Sequence, residues 1–331
     1  MSINIIETFS VGFLLSVLFL VIVKKACLLT RFFPSQKISP AGGISMGLAF
    51  FAGVFWTCFS GNVFPPELTG ILIASAVILL AGVMDDKKEL SVLQKLFAQV
   101  VAASFLIGFG VRTDFVYLGN FANMALSFLW IIGISNAINL LDIVDGMAAS
   151  VSVIIVSVFA AIAWMNGDNL TLIVTLVLSG TILGFLIFNL PPAKVYMGNS
   201  GSHFIGLVIA AAALTGQYAT MERPLALLTP VLLLGLPILD TVLLVWVRIR
   251  RGKSAFAKSE DHMALQLLKN GYSKHKTLLI MMGITLFFAG CGFFLGRVSS
   301  VCAAGILILS FGIRVETHSP NTYRGSRPGR P

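Results

Sequence analysis

The chain contains 331 residues, of which 57% are hydrophobic and only 11% are charged, and its formal net charge is +9. Soluble domains average about 25% charged residues, so this composition excludes a soluble globular protein and places most of the chain against lipid or other helices. The basic excess follows from membrane topology and attraction to anionic lipid, so nucleic acid is not expected as a partner.

Hydropathy along the chain predicts an all-α polytopic membrane protein with about eleven transmembrane helices. They are expected at residues 4–24, 43–60, 69–84, 93–110, 122–138, 148–165, 171–190, 203–219, 225–247, 277–295 and 298–314. Residues 1–314 are expected to form a single integral-membrane domain. Residues 315–331 are rich in Pro, Gly, Ser and Arg and are expected to be a disordered cytoplasmic tail.

The distribution of basic residues predicts the orientation of these helices. With the N-terminus outside, all 23 Lys and Arg residues except Arg112, Arg223 and Arg297 lie on the cytoplasmic side. The positive-inside rule therefore favours an external N-terminus and a cytoplasmic C-terminus. The same orientation brings three short polar segments, each at the end of a predicted helix, to the cytoplasmic face.

The first polar segment is Asp85–Asp86, which ends the third predicted helix and is followed by Lys87 and Lys88. Adjacent helical residues point about 100° apart, so one carboxylate can face a site while the other faces a neighbour. A polar cap at the membrane interface, balanced by the two lysines, has the same pattern.

The second polar segment follows the fifth predicted helix, where Asn136, Asn139, Asp142 and Asp145 recur every third residue. If the helix continues, these side chains lie along one narrow face, and Gly146 then permits a sharp exit. Amide and carboxylate oxygens are the ligands that Mg²⁺ prefers, so the spacing indicates a metal or nucleotide site.

The third polar segment contains Gly198, Ser200, Gly201 and Ser202, directly before the eighth predicted helix. Small residues before a helix N-terminus expose backbone N–H groups that favour phosphate, although an ordinary helix cap has the same composition.

The longest predicted cytoplasmic loop is basic and includes Arg251 and His262. Its arginines can anchor the helix end to lipid headgroups, whereas His262 lies farther out and can contact a diphosphate or a nucleotide.

Four segments carry a family resemblance that spans most of the chain. Residues 39–44 (SPAGGI) are similar to a Pro-x-Gly-Gly start of the second helix, and Asp85–Asp86 with Lys95 is similar to an aspartate pair followed by a Lys-Leu…Gln helix. Residues 136–146 (NAINLLDIVDG) resemble an Asn-x-x-Asn-x-x-Asp-Gly-x-Asp-Gly signature, and residues 192–202 (PAKVYMGNSGS) resemble a Met-Gly-Asp-x-Gly-Ser turn. In this order the segments resemble the polyprenyl-phosphate N-acetylhexosamine-1-phosphate transferases of glycosyltransferase family 4, relatives of the phospho-N-acetylmuramoyl-pentapeptide transferase.

The resemblance implies that a membrane polyprenyl phosphate attacks the β-phosphorus of a UDP-sugar and releases UMP. It implies Mg²⁺ as the cofactor, with Mn²⁺ as a substitute, held by Asp142 and Asp145 and more weakly by Asn199. The catalytic candidates are Asp85, Asp86, Asp142 and Asp145. The substrate-binding candidates are Lys95, Asn136, Asn139, Gly198, Ser200, Gly201, Ser202, Arg251 and His262.

The expected substrates are a UDP-N-acetylhexosamine, by default UDP-N-acetylglucosamine, and undecaprenyl phosphate. The resemblance also implies a multi-pass protein of the bacterial inner (cytoplasmic) membrane, acting in the first membrane step of a cell-envelope glycan such as lipopolysaccharide. A homodimer is left open.

Three positions depart from the family pattern. Asn199 stands where the family has a metal-binding aspartate, Ile143 replaces a glycine, and the late Asp-His-x-His-His-Arg motif is reduced to Asp261–His262. A divergent enzyme and a catalytically silent relative that binds polyprenyl phosphate or a partner subunit are both compatible with these changes. Retained carboxylates beside membrane helices favour the enzyme because unused charges there are costly. A transporter is disfavoured because the polar groups gather at one face and no internal repeat is visible.

Overall fold

The computed structural model describes residues 3–30, 32–33, 39–61, 64–218, 224–254 and 261–295. Within these ranges the regular structure is entirely helical. The helices are α1 (Ile5–Thr30), α2 (Ala41–Gly61), α3 (Pro66–Lys87), α4 (Val92–Gly108), α5 (Gly119–Leu141), α6 (Met147–Asn166), α7 (Asn169–Asn189), α8 (Gly198–Thr215), α9 (Thr229–Leu233), α10 (Gly235–Arg250), α11 (Met263–Lys269) and α12 (Lys274–Leu295). A short 3₁₀ helix, Pro224–Leu228, precedes α9.

Seven helices are long and apolar enough to cross a bilayer: α1, α2, α3, α5, α6, α7 and α12. The bent pair 225–233 and 235–250 provides an eighth candidate span, and α4 is apolar but shorter. The described chain is therefore an all-helical multi-pass membrane protein. The predicted eleven spans are not confirmed, since α4 and α8 are not among the candidates and the predicted helix 298–314 and tail 315–331 lie outside the described residues.

The prediction of one continuous helix over 225–247 is wrong. The chain breaks at Leu234, and the segments on either side form an angle of 72°. Pro237 explains the break because it has no N–H for the carbonyl four residues earlier and its ring clashes there. The apolar pattern continues through the break, so hydropathy alone predicts one span.

Small residues allow α1 and α7 to approach closely. Gly12 contacts the backbone of Val177, while Gly180 and Gly184 contact the α1 backbone, leaving no room for a Cβ. The Ser16 hydroxyl donates a hydrogen bond to the Thr181 carbonyl at 2.7 Å. Such contacts are typical of membrane helices, whose association depends on close packing and interhelical hydrogen bonds.

Helix α8 lies at the centre of the described bundle and is buried along most of its length. It packs against α2, α3 and α5. Gly82 of α3 contacts the backbone of Ser200, and Gly206 of α8 contacts the backbone of Ser135. These close approaches place the start of α8 beside the ends of α3 and α5, where two of the polar segments lie.

Candidate active site

A cavity of about 380 Å³ opens beside the ends of α2, α3, α5, α7 and α8. Its volume is within the range of roughly 300–1,000 Å³ that is typical of ligand pockets. All three polar segments of the sequence contribute to its lining. The lining residues are Pro40, Asp86, Asn139, Asp142, Ile143, Val144, Asp145, Asn189, Tyr196, Gly198 and Asn199.

Asp86 caps the N-terminus of α8. Its Oδ1 accepts the backbone N–H of Asn199 (2.7 Å), and its Oδ2 accepts the backbone N–H and the hydroxyl of Ser200 (3.1 and 2.6 Å). A carboxylate is favourable here because it satisfies unpaired N–H groups and complements the helix dipole. Gly198 has a φ of 71°, and a Cβ at this position would collide with the Asp86 carboxylate.

This cap corrects the sequence-based view of the third polar segment. Helix α8 begins at Gly198, five residues earlier than predicted, so Ser200, Gly201 and Ser202 lie within its first turns. All three are buried, and of the four small residues named in the sequence only Gly198 lines the cavity. The N–H groups of Asn199 and Ser200 are engaged by a carboxylate of the protein itself, so they are not open to a substrate phosphate.

Asp85 points away from the cavity, as its adjacent position on α3 requires. Its Oδ2 forms an ion pair with Lys95 Nζ at 2.7 Å, and its Oδ1 accepts the backbone N–H of Leu90 at 2.7 Å. The Asp85 side chain is 3% exposed, whereas that of Lys95 is 30% exposed. The structure thus separates the two aspartates, and the assignment of Lys95 to a substrate phosphate stays a prediction.

The second polar segment is a turn and does not continue the helix, which corrects the predicted common face. Helix α5 ends at Leu141, and the Asp142 N–H bonds to the Asn139 carbonyl. Gly146, with a φ of 76°, is the N-cap residue of α6, and its N–H donates to Asn189 Oδ1 at 3.1 Å. The turn brings Asp142 and Asp145 to the cavity, whereas Asn136 is directed elsewhere.

Asn136 belongs to a separate buried polar cluster with Gln99 and His203. The two amides exchange hydrogen bonds of 3.0 Å, and Gln99 Nε2 lies 3.4 Å from His203 Nδ1. These residues are outside the cavity lining, so the cluster accounts for Asn136 as a contact between α5, α4 and α8.

The cavity concentrates negative charge. Burial, followed by the nearby charges of Asp86 and Asp145, raises the pKa of Asp142 to about 7. Within the described part of the chain, no hydrogen-bond donor meets the Asp142 carboxylate. Asp145 Oδ2 accepts from the Ala193 N–H at 3.4 Å and from Lys274 Nζ at 3.3 Å. Three carboxylates therefore line one cavity, and a cation would be stabilised there.

Two of the three asparagine side chains that line the cavity, Asn139 and Asn199, form a hydrogen-bonded pair. Asn139 Nδ2 donates to Asn199 Oδ1 at 3.0 Å and to Ser202 Oγ at 2.8 Å. The Ser202 hydroxyl in turn donates to the Gly198 carbonyl at 3.0 Å. This chain of hydrogen bonds joins the second and third polar segments across the cavity wall.

The segment 39–43 is joined to the loop before α8. The N–H groups of Gly42 and Gly43 donate to the carbonyls of Tyr196 and Met197, at 3.1 and 3.0 Å. The Tyr196 N–H donates to the Ser39 carbonyl at 3.1 Å. Gly43 lies against Ser200 and Gly201, which leaves no space for a side chain. The glycine pair therefore positions Pro40 and Tyr196 at the cavity.

Arg251 and His262 are outside the cavity lining. Arg251 Nη1 forms an ion pair with Asp261 (2.9 Å), and the buried His262 Nδ1 lies 2.9 Å from Asp240 Oδ2. Asp240 Oδ1 also accepts the Met263 N–H at 2.9 Å, which fixes the start of α11 to α10. Contact of either residue with substrate stays a prediction.

Besides Val144, which lies within residues 136–146, four residues at or beside the cavity were not singled out from the sequence: Pro40, Asn189, Tyr196 and Lys274. Pro40 and Tyr196 lie within the resembling segments, so the motifs contained a signal for them. Asn189, at the end of an apolar helix, holds the loop before α8 through its Nδ2 bond to the Val195 carbonyl at 2.9 Å. No sequence motif indicated Lys274, which lies far along the chain from Asp145.

Among the described residues, no three His, Cys, Asp or Glu side chains are close enough to form a complete metal centre. Mg²⁺ is usually bound through one or two carboxylates, with water and substrate phosphates completing its octahedron. The paired carboxylates of Asp142 and Asp145, with the raised pKa of Asp142, fit that mode.

Comparison with known proteins identifies the relatives of this chain. The model of the family described as glycosyl transferase family 4 matches residues 68–217. A probable undecaprenyl-phosphate N-acetylglucosaminyl 1-phosphate transferase of Bacillus subtilis is 34% identical over 264 residues, covering 77% of this chain and 72% of the relative. The decaprenyl-phosphate N-acetylglucosaminephosphotransferase of Mycobacterium leprae is 32% identical, covering 81% and 77% of the two chains. The phospho-N-acetylmuramoyl-pentapeptide-transferase of Shouchella clausii is 31% identical, covering 77% and 82%.

Proposed function

The chain belongs to glycosyl transferase family 4, and we propose that it transfers N-acetylglucosamine 1-phosphate from UDP-N-acetylglucosamine to undecaprenyl phosphate. An oxygen of the lipid phosphate attacks the β-phosphorus of the nucleotide sugar. The bond from this phosphorus to the oxygen that bridges the two phosphates breaks, and UMP leaves with that oxygen. The lipid product carries the sugar on a diphosphate and starts a cell-envelope glycan.

One observation carries this proposal: Asp86, Asp142 and Asp145 face a single cavity in a chain that is 34% identical to a probable N-acetylglucosaminyl 1-phosphate transferase. The relatives whose names specify N-acetylglucosamine are 31–34% identical to the chain, and those named as pentapeptide transferases are 29–31% identical. This order, together with the reduced late histidine motif, favours N-acetylglucosamine as the sugar.

We propose that Asp142 and Asp145 hold Mg²⁺, for which Mn²⁺ can substitute. An ion held there would supply charge neutralisation for the departing UMP. Lys274, the ion-pair partner of Asp145, limits the excess negative charge when the ion is absent.

The protein residues act mainly by positioning. Asp86 fixes the start of α8 and thereby positions Asn199. Asp85 forms an ion pair with Lys95 and holds it at a partly exposed position, where its ammonium group can contact the lipid phosphate. A phosphate monoester has its second pKa near 6, so the lipid phosphate is already mostly ionised at pH 7 and needs no general base. Positioning and charge stabilisation therefore supply most of the catalysis, as in other phosphoryl transfers.

We propose that the cavity opens to the cytoplasm, with the N-terminus outside, in the bacterial inner membrane. The cavity lies at the end of α3, where Lys87 and Lys88 follow Asp86, and Lys274 contacts Asp145. Basic residues on the cavity side support a cytoplasmic location through the positive-inside rule.

UMP release tests this function. Purified protein with undecaprenyl phosphate, Mg²⁺ and a panel of UDP-N-acetylhexosamines is expected to release UMP with UDP-N-acetylglucosamine. Asp142→Asn is expected to lose at least about a hundredfold of this activity, as removal of one strong electrostatic group in an active site does. Asp114→Asn changes an exposed aspartate outside the cavity and is expected to retain it. A protein that binds the lipid phosphate but releases no UMP from any donor would instead be the catalytically silent relative.

A further inference from the structure

We infer that Asn199 presents its amide N–H₂ to the cavity and donates a hydrogen bond to a substrate phosphate oxygen, in place of binding the metal. This inference rests on the proposed function. Asn199 stands where the family resemblance leads us to expect a metal-binding aspartate, and an amide has different chemistry from a carboxylate at this position.

The orientation of the Asn199 amide follows from a chain of donors and acceptors. The Ser202 hydroxyl donates its hydrogen to the Gly198 carbonyl, so its oxygen is available to accept a hydrogen bond from Asn139. Asn139 therefore turns its N–H₂ towards Ser202, and the second hydrogen of this group is donated to Asn199. The atom of Asn199 that accepts it must be the oxygen.

The bond from Asn139 takes one of the two lone-pair sites of the Asn199 oxygen, whereas both N–H groups of the Asn199 nitrogen remain for the cavity that this residue lines. No described residue accepts a hydrogen bond from this nitrogen. An amide nitrogen donates hydrogen bonds and does not bind Mg²⁺, which prefers oxygen. An aspartate in the same position would accept from Asn139 with one oxygen and offer the other to a cation, so the natural substitution exchanges a ligand for a donor.

A phosphate in this cavity needs such a donor. The carboxylates of Asp86, Asp142 and Asp145 line the cavity, and the N–H groups at the start of α8 are occupied by Asp86. A phosphate oxygen near α8 therefore depends on the metal or on a side-chain donor, and Asn199 supplies one at the end of that helix.

Nucleotide binding with and without metal separates the two roles. The variant Asn199→Leu keeps the branched shape and the number of side-chain heavy atoms and removes the whole amide, while the backbone N–H that caps α8 on Asp86 remains. Affinity for UDP and for farnesyl phosphate is measured in EDTA and again in Mg²⁺, with thermal unfolding as a check of folding. Asn199→Gln retains an N–H₂ group and serves as the conservative variant.

In EDTA, Asn199→Leu is expected to weaken binding about tenfold, the effect of losing one hydrogen bond to a charged group, and Asn199→Gln is expected to restore part of it. Weakening with UDP assigns the contact to the donor diphosphate, and weakening with farnesyl phosphate assigns it to the acceptor. The gain in affinity on adding Mg²⁺ is expected to match that of the unsubstituted protein.

Unchanged affinity for both ligands in EDTA, with a smaller Mg²⁺-dependent gain, would overturn the inference and make Asn199 a metal ligand. If the unsubstituted protein binds UDP and the variant matches it in both buffers, the inference also fails while the proposed function stands. Absence of UDP binding by the unsubstituted protein in either buffer would contradict the proposed function itself.

Discussion

At the scale of single residues, the cavity is governed by the three carboxylates that line it, those of Asp86, Asp142 and Asp145. Asp142 shows this most clearly, because burial and the neighbouring Asp86 and Asp145 raise its pKa from 3.8 to about 7. Its ionised form is thus disfavoured in the folded protein unless a cation is bound. The neighbouring Asn199 differs, since its amide carries no charge and adds nothing to this repulsion.

The raised pKa of Asp142 predicts a pH-dependent stability. The pKa of Asp142 is higher in the folded than in the unfolded protein. The contribution of this group to folding stability is therefore complete below about pH 4 and is lost as the pH rises through about 7. Without Mg²⁺, the free energy of unfolding of Asp142→Asn should therefore rise relative to that of the unsubstituted protein between pH 4 and 7. The expected difference is on the order of 1–3 kcal/mol, because the cavity is open and solvent screens the charges. Thermal unfolding between pH 4 and 8 in EDTA checks this. A difference that does not vary with pH would show that Asp142 ionises normally.

A second residue-scale prediction concerns the substituted metal position. Asn199→Asp should tighten Mg²⁺ or Mn²⁺ binding on the order of tenfold, because it turns a charged oxygen towards the cavity where an N–H₂ group now lies. Direct Mn²⁺ titration by electron paramagnetic resonance measures this without turnover. Asn270→Asp adds the same charge on an exposed surface and should leave the affinity unchanged. Equal affinities for both variants would place position 199 outside the metal's reach.

At the scale of elements, apolar runs predicted most helices well, whereas their ends were decided by polar contacts. Helix α8 begins at Gly198 because Asp86, distant in sequence, caps it there. Helix α5 ends at Leu141, before the spacing of polar residues suggests, because the chain turns through Gly146 onto Asn189. A hydropathy pattern contains no information about capping partners that are distant in sequence. The sequence therefore identified residues that line the cavity, but it did not predict where α5 ends and α8 begins.

Capping of α8 gives an element-scale prediction. Asp86→Ala should lower thermal stability, since loss of a cap costs about 0.5–2 kcal/mol, and should also weaken UDP binding because the start of α8 borders the cavity. Asp168→Ala is the matched control, because Asp168 caps α7 through the Thr171 N–H and lies outside the cavity lining. Asp168→Ala should lower thermal stability without changing the affinity for UDP. Equal losses of UDP affinity in both variants would argue against a specific role for the α8 cap.

At the scale of the whole molecule, the site forms because helix ends from distant parts of the sequence meet on one face of the bundle. Residues 39–43, the end of α3, the turn after α5 and the start of α8 all contribute. The motifs indicated that these segments belong together, and the proposed membrane orientation places them in the cytoplasm. The bend at Leu234 shows what hydropathy does not predict. Hydropathy identifies apolar segments, but it does not show whether a segment is one straight helix.

The orientation itself can be tested by labelling. In a variant without natural cysteines, Ser273→Cys, next to the cavity-side Lys274, should react with an impermeant maleimide only after the inner membrane is opened. Asp114→Cys, in the exposed loop between α4 and α5, should react in intact spheroplasts. The reverse pattern would invert the proposed topology.

The most direct test of the central claim is an experimental structure of the protein with UDP-N-acetylglucosamine and Mn²⁺. We expect a manganese anomalous peak beside Asp142 and Asp145, with the diphosphate in the cavity lined by Asp86, Asn139 and Asn199. A diphosphate or metal bound elsewhere, with this cavity empty at saturating ligand, would contradict it.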